Sequence, residues 1–457
     1  FKDLSISYKV REIITAATSA VREAPNGQEF LRSIKENLGL EVDLVSGSEE
    51  ARLIYLGVLS SMPFGEDPYI LIDIGGGSTE LILADGRDAR ALTSSRIGAV
   101  RLQREFIQNE EISSQKSEFL KAFIQGSLES AVDKILKRIK NKEAPKLIAT
   151  SGTAMALGSL IANEGMKQKG KLQGYSFSQE KLSKLIEKLL KMSSFERKKI
   201  PTLSPRRAEI IIPGAFILEK AMEMLSIDNL VLSERALREG LIVDWMIRNA
   251  YLEDRFTFQS SIRQRTVIHQ VERFSVDRIR AEKVAENALI FYDNTKGFLH
   301  NDQGDGRQLL WAAAMLHSCG QHISLSAYHK HSWYLIRNGE LLGYSQIEHL
   351  MVAAIARYHR RSLPKKRHEA WQLLETSENR KLVSEMSLIL RLATSLDKRP
   401  ESPLSKIKVS ANNIGVICQL FPINSEKNVS LEAWNLKKCN IFVKDLCGIE
   451  LTVDVNI

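Results

Sequence analysis

The chain has 457 residues, of which 44% are apolar and 26% charged, the balance of an ordinary globular protein with about two to four domains. No stretch approaches the roughly 18 uninterrupted apolar residues of a membrane helix, and the four widely spaced cysteines, without a CxxC pair, exclude a zinc ribbon or disulfide scaffold. The 64 basic residues exceed the 55 acidic ones by nine, which favours an anionic partner. We therefore expect a cytoplasmic protein with no membrane partner.

The first half of the chain, up to about Trp245, alternates short apolar strands with helices. Ile13–Ala17 predicts a strand, and the helix that follows it carries Arg22. Val42–Val45 predicts the next strand, and the first turn of the following helix holds Glu50. Strands and helices that alternate at this pace predict an α/β layered fold.

Arg22 and Glu50 each allow two interpretations. The forked donors of an arginine clamp phosphate well, but a lone exposed arginine is usually only solvated. Glu49 and Glu50 lie in a first helical turn, where acidic residues commonly interact with the helix dipole. Alternatively, Glu50 is a general base that orients water for attack on a phosphoanhydride, provided that it lies near a phosphate loop.

A glycine turn between two strands is the sharpest local signal. It consists of Gly75, Gly76, Gly77 and Ser78. Glycines let backbone N–H groups converge on an anion, although a glycine-rich hairpin without a ligand is the alternative. Asp73, inside the apolar run Ile70–Ile74, argues against that alternative, because a buried carboxylate needs a cationic neighbour. A hydrated Mg²⁺ shared with phosphate would suit Asp73, with Glu80 as a second oxygen ligand.

A second candidate phosphate site follows the strand predicted at Lys146–Thr150. It consists of Ser151, Gly152 and Thr153, directly before a helix. Free N–H groups at a helix N-terminus attract phosphate. Serine and threonine are also common there as plain helix caps, so this motif alone does not decide.

After Asp254 the pattern changes to helices alone, with apolar residues repeating at helical spacing. The clearest such stripe runs from Ala281 to Tyr292, and the helical block ends near Pro400. Beyond it, apolar and polar residues alternate, as in Ile449–Ile457, which predicts half-buried strands.

Six motifs carry a family resemblance. They are Glu49-Glu50-Ala51-Arg52-Leu53, the glycine turn with its flanks from Leu71 to Leu81, Thr18-Ser19-Ala20-Val21-Arg22-Glu23, Ile97-Gly98-Ala99-Val100-Arg101-Leu102, Ser151-Gly152-Thr153 and Leu237-Arg238-Glu239-Gly240. Together they resemble the exopolyphosphatase/guanosine pentaphosphate phosphatase family, over essentially the whole chain. The resemblance implies a fold of the actin, hexokinase and heat-shock chaperone superfamily, which binds phosphates between two α/β lobes.

The resemblance also implies residue roles. Glu50 matches the catalytic base of the family, and Asp73 and Glu80 match acids implicated in Mg²⁺ binding. The glycine turn matches a phosphate loop, and Arg22 matches an arginine that contacts phosphate. Whether a monovalent cation assists stays open, and because the family often forms dimers, we expect a homodimer.

Family members open with a strand and a first phosphate loop of the type Asp-x-Gly-Ser-x-Ser, and nothing like it precedes Ile13. We expect that the chain is truncated or incompletely represented there, since a lobe without its first strands would expose a sheet edge. If the loop is truly absent, the alternative is a non-catalytic binder of polyphosphate or nucleotide.

The helical part resembles a degenerate HD domain. Five of the nine histidines lie between Leu316 and His349, and Asp397 resembles the trailing acid of HD-type metal-dependent phosphohydrolases. Those enzymes need an adjacent His-Asp pair, whereas His317 is followed by Ser318. We therefore expect these histidines to hold no metal.

The densest basic stretch lies in the same helical part. It includes Arg360, Arg361, Lys365, Lys366 and Arg367. Such runs are usually solvated helix ends or loops, but a long polyanion needs a positive track to its site. Aromatic residues do not interleave this run, which disfavours nucleic acid as a partner.

The combined hypothesis is an exopolyphosphatase that removes terminal phosphate from inorganic polyphosphate processively, with Mg²⁺. The nearest alternative is hydrolysis of guanosine pentaphosphate. We predict two actin-like (ribonuclease H-like) α/β lobes at residues 1–55 and 56–253, an all-helical degenerate HD-like domain at 254–400 and a small C-terminal β-containing domain at 401–457.

Overall fold

The computed structural model describes residues 2–62, 68–107, 112–141, 143–165, 172–249, 251–252, 262–374, 376–412, 415–424 and 428–455. The chain divides into two compact units, residues 1–261 (unit 1) and 262–457 (unit 2), and each has its own apolar core. It is a mixed α/β protein, as the sequence predicts. Within the described ranges, every helix is too short or too polar to cross a membrane.

Unit 1 contains eight strands, eleven α-helices and one π-helix among its described residues. The first half comprises α1 (Lys2–Ser7), β1 (Ala16–Ala17), α2 (Ser19–Glu23), α3 (Gly27–Leu38), β2 (Asp43–Leu44), α4 (Gly47–Leu59), β3 (Tyr69–Ile74), β4 (Thr79–Ala84), β5 (Ala89–Ser95), α5 (Ala99–Leu102) and a π-helix (Gln103–Ile107). The second half comprises α6 (Ser114–Leu136), β6 (Lys146–Thr150), α7 (Ser151–Gly165), β7 (Ser176–Ser178), α8 (Gln179–Leu190), α9 (Ser194–Lys198), α10 (Pro205–Leu225), β8 (Asn229–Leu232) and α11 (Leu237–Arg248).

The main sheet of unit 1 has six strands in the order β5-β4-β3-β6-β8-β7. Its central strand β3 is antiparallel to β4 and parallel to β6, and this register places Asp73 beside Glu80 on one side and Thr150 on the other. Ile72 and Ile74 contribute to the apolar core. Because side chains alternate along a strand, Asp73 lies on the opposite face.

The first two strands are shorter than predicted. β1 covers Ala16–Ala17 instead of Ile13–Ala17, and β2 covers Asp43–Leu44 instead of Val42–Val45. They pair with each other in a separate two-stranded parallel sheet. The side chain of Ile13 is exposed, so burial contributes little to extending the strand there.

Helix α4 is buried from Glu49 to Leu59 and packs closely against α11. A Cβ atom at Gly57 would lie 2.0 Å from the carbonyl oxygen of Ala236, and one at Gly240 would lie 1.8 Å from that of Leu53. The backbones of α4 and α11 therefore lie in contact at these two glycines, which have no side chain to separate them. The domain border predicted between residues 55 and 56 falls inside this continuous helix.

Unit 2 contains helices and a three-stranded sheet. Its elements are α12 (Ile262–Arg273), α13 (Arg278–Asn294), α14 (Gly306–Leu316), a 3₁₀ turn (Cys319–His322), α15 (Tyr328–Asn338), α16 (Gln346–Tyr358), α17 (Glu369–Leu373), α18 (Ser377–Ser395), β9 (Leu404–Asn412), β10 (Gly415–Pro422), α19 (Ser430–Lys438), α20 (Asn440–Cys447) and β11 (Glu450–Val455). The sheet order is β11-β10-β9, with β10 parallel to β11 and antiparallel to β9.

A single core joins the helices of unit 2 to its strands. Phe291 and Leu388 on helices belong to the same buried cluster as Val416 and Val453 on strands. The border predicted between residues 400 and 401 therefore separates elements that share one core. The alternating pattern predicts the strands of this segment but not the helices α19 and α20.

We expect Gly240→Ala to lower the free energy of unfolding by about 1–3 kcal/mol, because the added methyl group would overlap a backbone oxygen. The matched control is Gly126→Ala in the middle of α6, where an added Cβ meets nothing within 4 Å. That control should be neutral or stabilising by about 0.4–1 kcal/mol. Denaturant unfolding measures both, and equal stability of the Gly240 variant and the wild type would refute the close helix contact.

Candidate active site

The glycine turn, Gly75–Ser78, is held by the start of α5. The carbonyl of Gly75 accepts a hydrogen bond from the amide of Ala99, and that of Gly76 accepts one from the amide of Val100, both at 3.0 Å. Within the described part of the chain, the amides of the last three turn residues have no hydrogen-bond acceptor. Backbone N–H groups clustered in this way bind anions.

Helix α2 lies directly against this turn. A Cβ at Gly77 would fall 2.6 Å from the hydroxyl of Ser19. Arg101 donates to the carbonyl of Gly77 at 3.1 Å and forms an ion pair with Glu23. Sequence analysis gave Glu23 and Arg101 no role. The signal that could have found them is their opposite charge in two motifs of one family, which predicts an ion pair.

Three buried carboxylates, those of Glu50, Asp73 and Glu80, form a carboxylate cluster beside the turn. Asp73 and Glu80 are direct cross-strand neighbours, so their Cβ atoms lie on one face about 4.5–5.5 Å apart. Burial, together with the charge of Glu50, raises the pKa of Asp73 to about 7. Burial and the charges of Glu50 and Asp73 raise the pKa of Glu80 to about 8.

Glu50 lies in the first turn of α4, which begins after the capping residue Ser46. Arg22 lies beside it, with Nη1 and Nη2 each 3.4 Å from Oε2 of Glu50, and Nη1 also donates to the carbonyl of Val45. Burial raises the pKa of Glu50, and the charge of Arg22 opposes that rise. A carboxylate with a raised pKa is a stronger base toward water at neutral pH.

The adjacent Glu49 has a structural role. It accepts two hydrogen bonds from Arg52, at 2.7 and 2.9 Å, and Arg52 also donates to Asp244 on α11 at 2.6 Å. Only 1% of Arg52 is exposed. The two neighbouring glutamates therefore differ, since Glu49 joins α4 to α11 while Glu50 faces the other carboxylates.

Ser151 and Thr153 lie against the end of β3. The hydroxyl of Ser151 donates to the carbonyl of Ile74 at 3.0 Å, and that of Thr153 donates to the same oxygen at 3.3 Å. The Ser151 side chain is also hydrogen-bonded to Asp73. Ser151 has a φ of 81°, a strained conformation that costs about 1–3 kcal/mol and is concentrated at functional sites.

A cavity of about 1120 Å³ (the unit 1 cavity) adjoins both predicted phosphate loops. Gly75, Gly76, Ser151, Gly152 and Thr153 line it. Its cationic lining residues are Arg104, Arg197, Lys198, Arg206 and Arg207, against the single carboxylate of Glu209. None of its described lining residues is aromatic.

Arg207 is the cation nearest to the second loop. A Cβ at Gly152 would lie 2.0 Å from Nη1 of Arg207, so the guanidinium lies directly over this glycine. Lys198 is already paired with Glu209 at 2.7 Å. Sequence analysis missed these residues, and the only signal for them is the arginine pair directly after Pro205.

The predicted site residues in unit 1 thus lie close together: Glu50, Arg22, Asp73, Glu80, the glycine turn and the Ser151–Thr153 loop. The residues of the predicted basic track belong to unit 2. There, Arg360 and Arg361 line a separate cavity, and Lys365, Lys366 and Arg367 are not among its described lining residues.

The donor set in unit 1 suits a cation that is shared with phosphate. The described residues contain no group of three or more His, Cys, Asp or Glu arranged to hold a metal. Mg²⁺ commonly uses one or two carboxylates and completes its shell with water and substrate phosphates. Asp73 and Glu80 would hold it, since burial, reinforced by neighbouring negative charge, raises the pKa of each, and a cation would offset both effects.

We expect the metal-free protein to lose stability as the pH rises from about 4 to about 8. The folded-state pKa of Glu80, about 8, lies above its ordinary value of 4.5. The contribution of Glu80 to stability is therefore complete below the ordinary pKa of 4.5 and is lost as the pH rises through the folded-state pKa of about 8. Glu80→Gln should reduce this loss. Thermal unfolding in EDTA at about pH 5 and about pH 8.5 measures this loss of stability. Glu129→Gln on α6 is the control. Identical pH dependences for the wild type and both variants would contradict the prediction.

Comparison with known proteins gives consistent matches. Residues 1–249 match the model of the Ppx/GppA phosphatase family, and residues 262–440 match that of Ppx/GppA phosphatase domain III. The chain is 30% identical over 353 residues to guanosine-5'-triphosphate,3'-diphosphate pyrophosphatase of Vibrio parahaemolyticus, which covers 77% of this chain and 67% of that protein.

Solved structures match as well. An exopolyphosphatase from Cytophaga hutchinsonii has a TM-score of 0.50 and 23% identity, covering 55% of this chain and 78% of that one. A Ppx/GppA family member from Aquifex aeolicus has a TM-score of 0.47 and 28% identity, covering 54% of this chain and 78% of that one.

The site combines buried carboxylates with a glycine turn and a Ser-Gly-Thr loop. Together with these matches, it assigns the protein to the phosphatases that hydrolyse phosphoanhydride bonds. Within that class, the chain belongs to the Ppx/GppA phosphatase family. The resemblance seen in the sequence is confirmed, and so is the prediction that the protein is an enzyme.

Proposed function

We propose that the protein is an exopolyphosphatase, which uses Mg²⁺ to hydrolyse the terminal phosphoanhydride of inorganic polyphosphate. The observation that carries this proposal is the unit 1 cavity, which has five cationic lining residues and no aromatic one among those described. Inorganic polyphosphate presents a negative charge at every unit, whereas a base is typically recognised by stacking on a flat side chain. The cavity therefore suits a chain of phosphates better than a base.

Glu50 is the proposed base of the reaction. It accepts a proton from water, whose oxygen forms a bond to the terminal phosphorus while the bond from that phosphorus to the bridging oxygen breaks. Orthophosphate and a polyphosphate one unit shorter are the products. Arg22, 3.4 Å from Glu50, would orient the carboxylate and contact the terminal phosphoryl group.

The glycine turn and the Ser151–Thr153 loop would bind the phosphate oxygens. Free amides in the turn and the cationic Arg207 over Gly152 neutralise negative charge. Bound Mg²⁺ would supply further charge neutralisation of the phosphates. Positioning and charge neutralisation are the main sources of catalysis in phosphoryl transfer.

Hydrolysis of guanosine pentaphosphate is the second candidate. The observation that favours it is the 30% identity to the guanosine-5'-triphosphate,3'-diphosphate pyrophosphatase of Vibrio parahaemolyticus. Both reactions break a phosphoanhydride bond, so the proposed roles of Glu50 and the loops are common to them. Competition between the two substrates in a phosphate-release assay separates them, and preferred hydrolysis of the nucleotide would replace the first candidate with the second.

The remaining family expectations belong to the same proposal. They are two actin-like lobes, an HD-like helical domain, a homodimer, a cytoplasmic location and a basic track that includes Arg360, Arg361, Lys365, Lys366 and Arg367. A role for a monovalent cation also stays open.

We expect Glu50→Gln to reduce turnover by roughly 10²–10⁴-fold, the usual contribution of a general base, while polyphosphate binding stays nearly intact. Phosphate release and equilibrium binding measure the two effects. The control is Glu41→Gln, which removes a carboxylate that is 80% exposed. Near-normal turnover of the Glu50 variant would refute the assigned base, and binding without turnover in the wild type with Mg²⁺ would favour a non-catalytic binder.

We expect Arg207→Gln to raise KM for polyphosphate by roughly tenfold, because a charged hydrogen bond to phosphate contributes about 1.5–3 kcal/mol. The dependence of KM on salt should weaken as well, since one fewer cation neutralises phosphate. Steady-state kinetics at several salt concentrations measure both effects. Arg32→Gln, at an exposed position of α3, is the control, and an unchanged KM in the Arg207 variant would remove the cavity from the substrate path.

A further inference from the structure

Three consecutive carbonyl groups of the glycine turn are held by α5 and its side chain Arg101. The carbonyls of Gly75 and Gly76 accept hydrogen bonds from backbone amides of α5. The carbonyl of Gly77 accepts one from Nε of Arg101 at 3.1 Å. Because the C=O and N–H of a trans peptide group point in opposite directions, the amides that follow these carbonyls point away from α5. They are the amides of Gly76, Gly77 and Ser78.

Arg101 controls the third of these peptide groups. The first two carbonyls are held by backbone donors of a helix, whereas the carbonyl of Gly77 is held by a side chain. Glycine has a wide range of backbone conformations, so the peptide group between Gly77 and Ser78 can rotate when its carbonyl loses this donor. Such a rotation would turn the amide of Ser78 away from the other two.

The same guanidinium group reaches the helix that carries Arg22. Nη2 of Arg101 donates to one oxygen of Glu23 at 2.5 Å, and the hydroxyl of Ser19 donates to the other at 2.7 Å. Burial would raise the pKa of Glu23, but these hydrogen bonds and the charge of Arg101 outweigh burial and lower that pKa. Helix α2 has only five residues, too few for stability without tertiary contacts. Its position beside the turn therefore depends on anchors such as this ion pair.

Helix α2 in turn supplies two contacts to the proposed base, Glu50. Thr18, directly before the helix, is hydrogen-bonded to the Glu50 carboxylate, and Arg22 lies 3.4 Å from it. A displacement of α2 would move both contacts at once. A shift of about 1 Å in a catalytic contact can reduce the rate roughly 100-fold.

We propose that Arg101 is a positioning residue for phosphoanhydride hydrolysis. Through Gly77, it directs the amide of Ser78 toward the bound phosphate. Through Glu23, it holds Arg22 at the same phosphate. One guanidinium group thereby fixes a backbone donor and a cationic donor relative to each other. The proposal rests on the phosphate contacts proposed above for the glycine turn and Arg22.

The first test is the steady-state kinetics of Arg101→Gln, with inorganic polyphosphate and guanosine pentaphosphate as separate substrates. On the substrate that the wild type hydrolyses, we expect kcat to fall roughly 10–100-fold, because two donors shift from the reacting phosphoryl group. KM should stay close to that of the wild type. Arg101→Lys keeps the charge but lacks the fork that joins Gly77 to Glu23, so wild-type kcat in that variant would overturn the proposal.

Glu23→Gln distinguishes positioning from direct contact with phosphate. If Arg101 itself bound the phosphate, it would act without Glu23, whereas a positioning role requires the pair. We expect Glu23→Gln to lower kcat, and the double variant to lose little more than Arg101→Gln alone, because the two side chains act as one unit. Wild-type kcat in Glu23→Gln, or fully additive losses, would overturn the proposal.

The matched control is Arg90→Gln, which breaks an ion pair with Glu143 in the same unit. The two arginine side chains are similarly exposed, 27% for Arg101 and 18% for Arg90. Arg90 lies at the start of β5, whereas the carboxylate cluster is reached near the other end, where Ser94 donates to Glu80 at 2.7 Å. The control should keep wild-type kcat, and an equal fall of kcat in both variants would overturn the proposal.

Amide hydrogen exchange gives a second measurement that does not depend on the substrate. We expect residues 19–24 to exchange faster in Arg101→Gln than in the wild type and in Arg90→Gln. Unchanged exchange there would overturn the proposal. A wild type that hydrolyses neither substrate, or normal turnover of Glu50→Gln, would refute the proposed function instead, and the exchange comparison would still decide whether Arg101 holds α2.

Discussion

Negative charge held out of water at one end of the central strand is the constraint around which unit 1 is organised. Asp73 and Glu80 face each other across β3 and β4, and Glu50 approaches both from α4. Burial raises all three pKa values, and neighbouring negative charge adds to the rise for Asp73 and Glu80. Of the three acids, Glu50 is the one that pairs with Arg22. Such an arrangement stabilises a fold poorly, but it is well suited to a site that takes up protons and cations along with phosphate.

The surrounding structure fixes this unfavourable cluster in place. Glycines at the crossing of α4 and α11 let the two backbones touch, and the buried Arg52 pairs with Glu49 and Asp244 across the same contact. These interactions hold the first turn of α4, and hence Glu50, over the sheet. Ser151, in its left-handed conformation, holds the other side through Asp73 and Ile74. Strain and repulsion therefore occur at the positions where the proposed chemistry takes place.

The two units differ in the sign of their buried charge. In unit 1 buried acids lie next to loops that suit phosphate, an arrangement that a divalent cation would complete. In unit 2 a buried guanidinium, Arg391, has no carboxylate partner among the described residues, and Arg280 lies against Asp397. Arg391 instead donates to two backbone carbonyls and lies over the ring of Phe442.

Much of this protein is encoded locally. The apolar runs around Asp73 and before Ser151 predict β3, β4 and β6, because a strand buried on both faces is a continuous apolar segment with abrupt ends. The glycine turn and the left-handed Gly39 at the end of α3 follow from the conformational freedom of glycine. Six sequence motifs carry the resemblance to the family, and the family models confirm it.

Distances between segments far apart in the sequence depend on the tertiary structure alone. Glu49 and Glu50 are indistinguishable as first-turn acids, and only the packing of α4 on α11 turns one toward Arg52 and the other toward Asp73. Arg207 is more than fifty positions from Gly152, and its only sequence signal is the arginine pair after Pro205, yet α10 places its guanidinium over that glycine. Neither the unpaired charge of Arg391 nor the short β1 has a local cause, because burial and strand length are set by which distant residues pack against a segment.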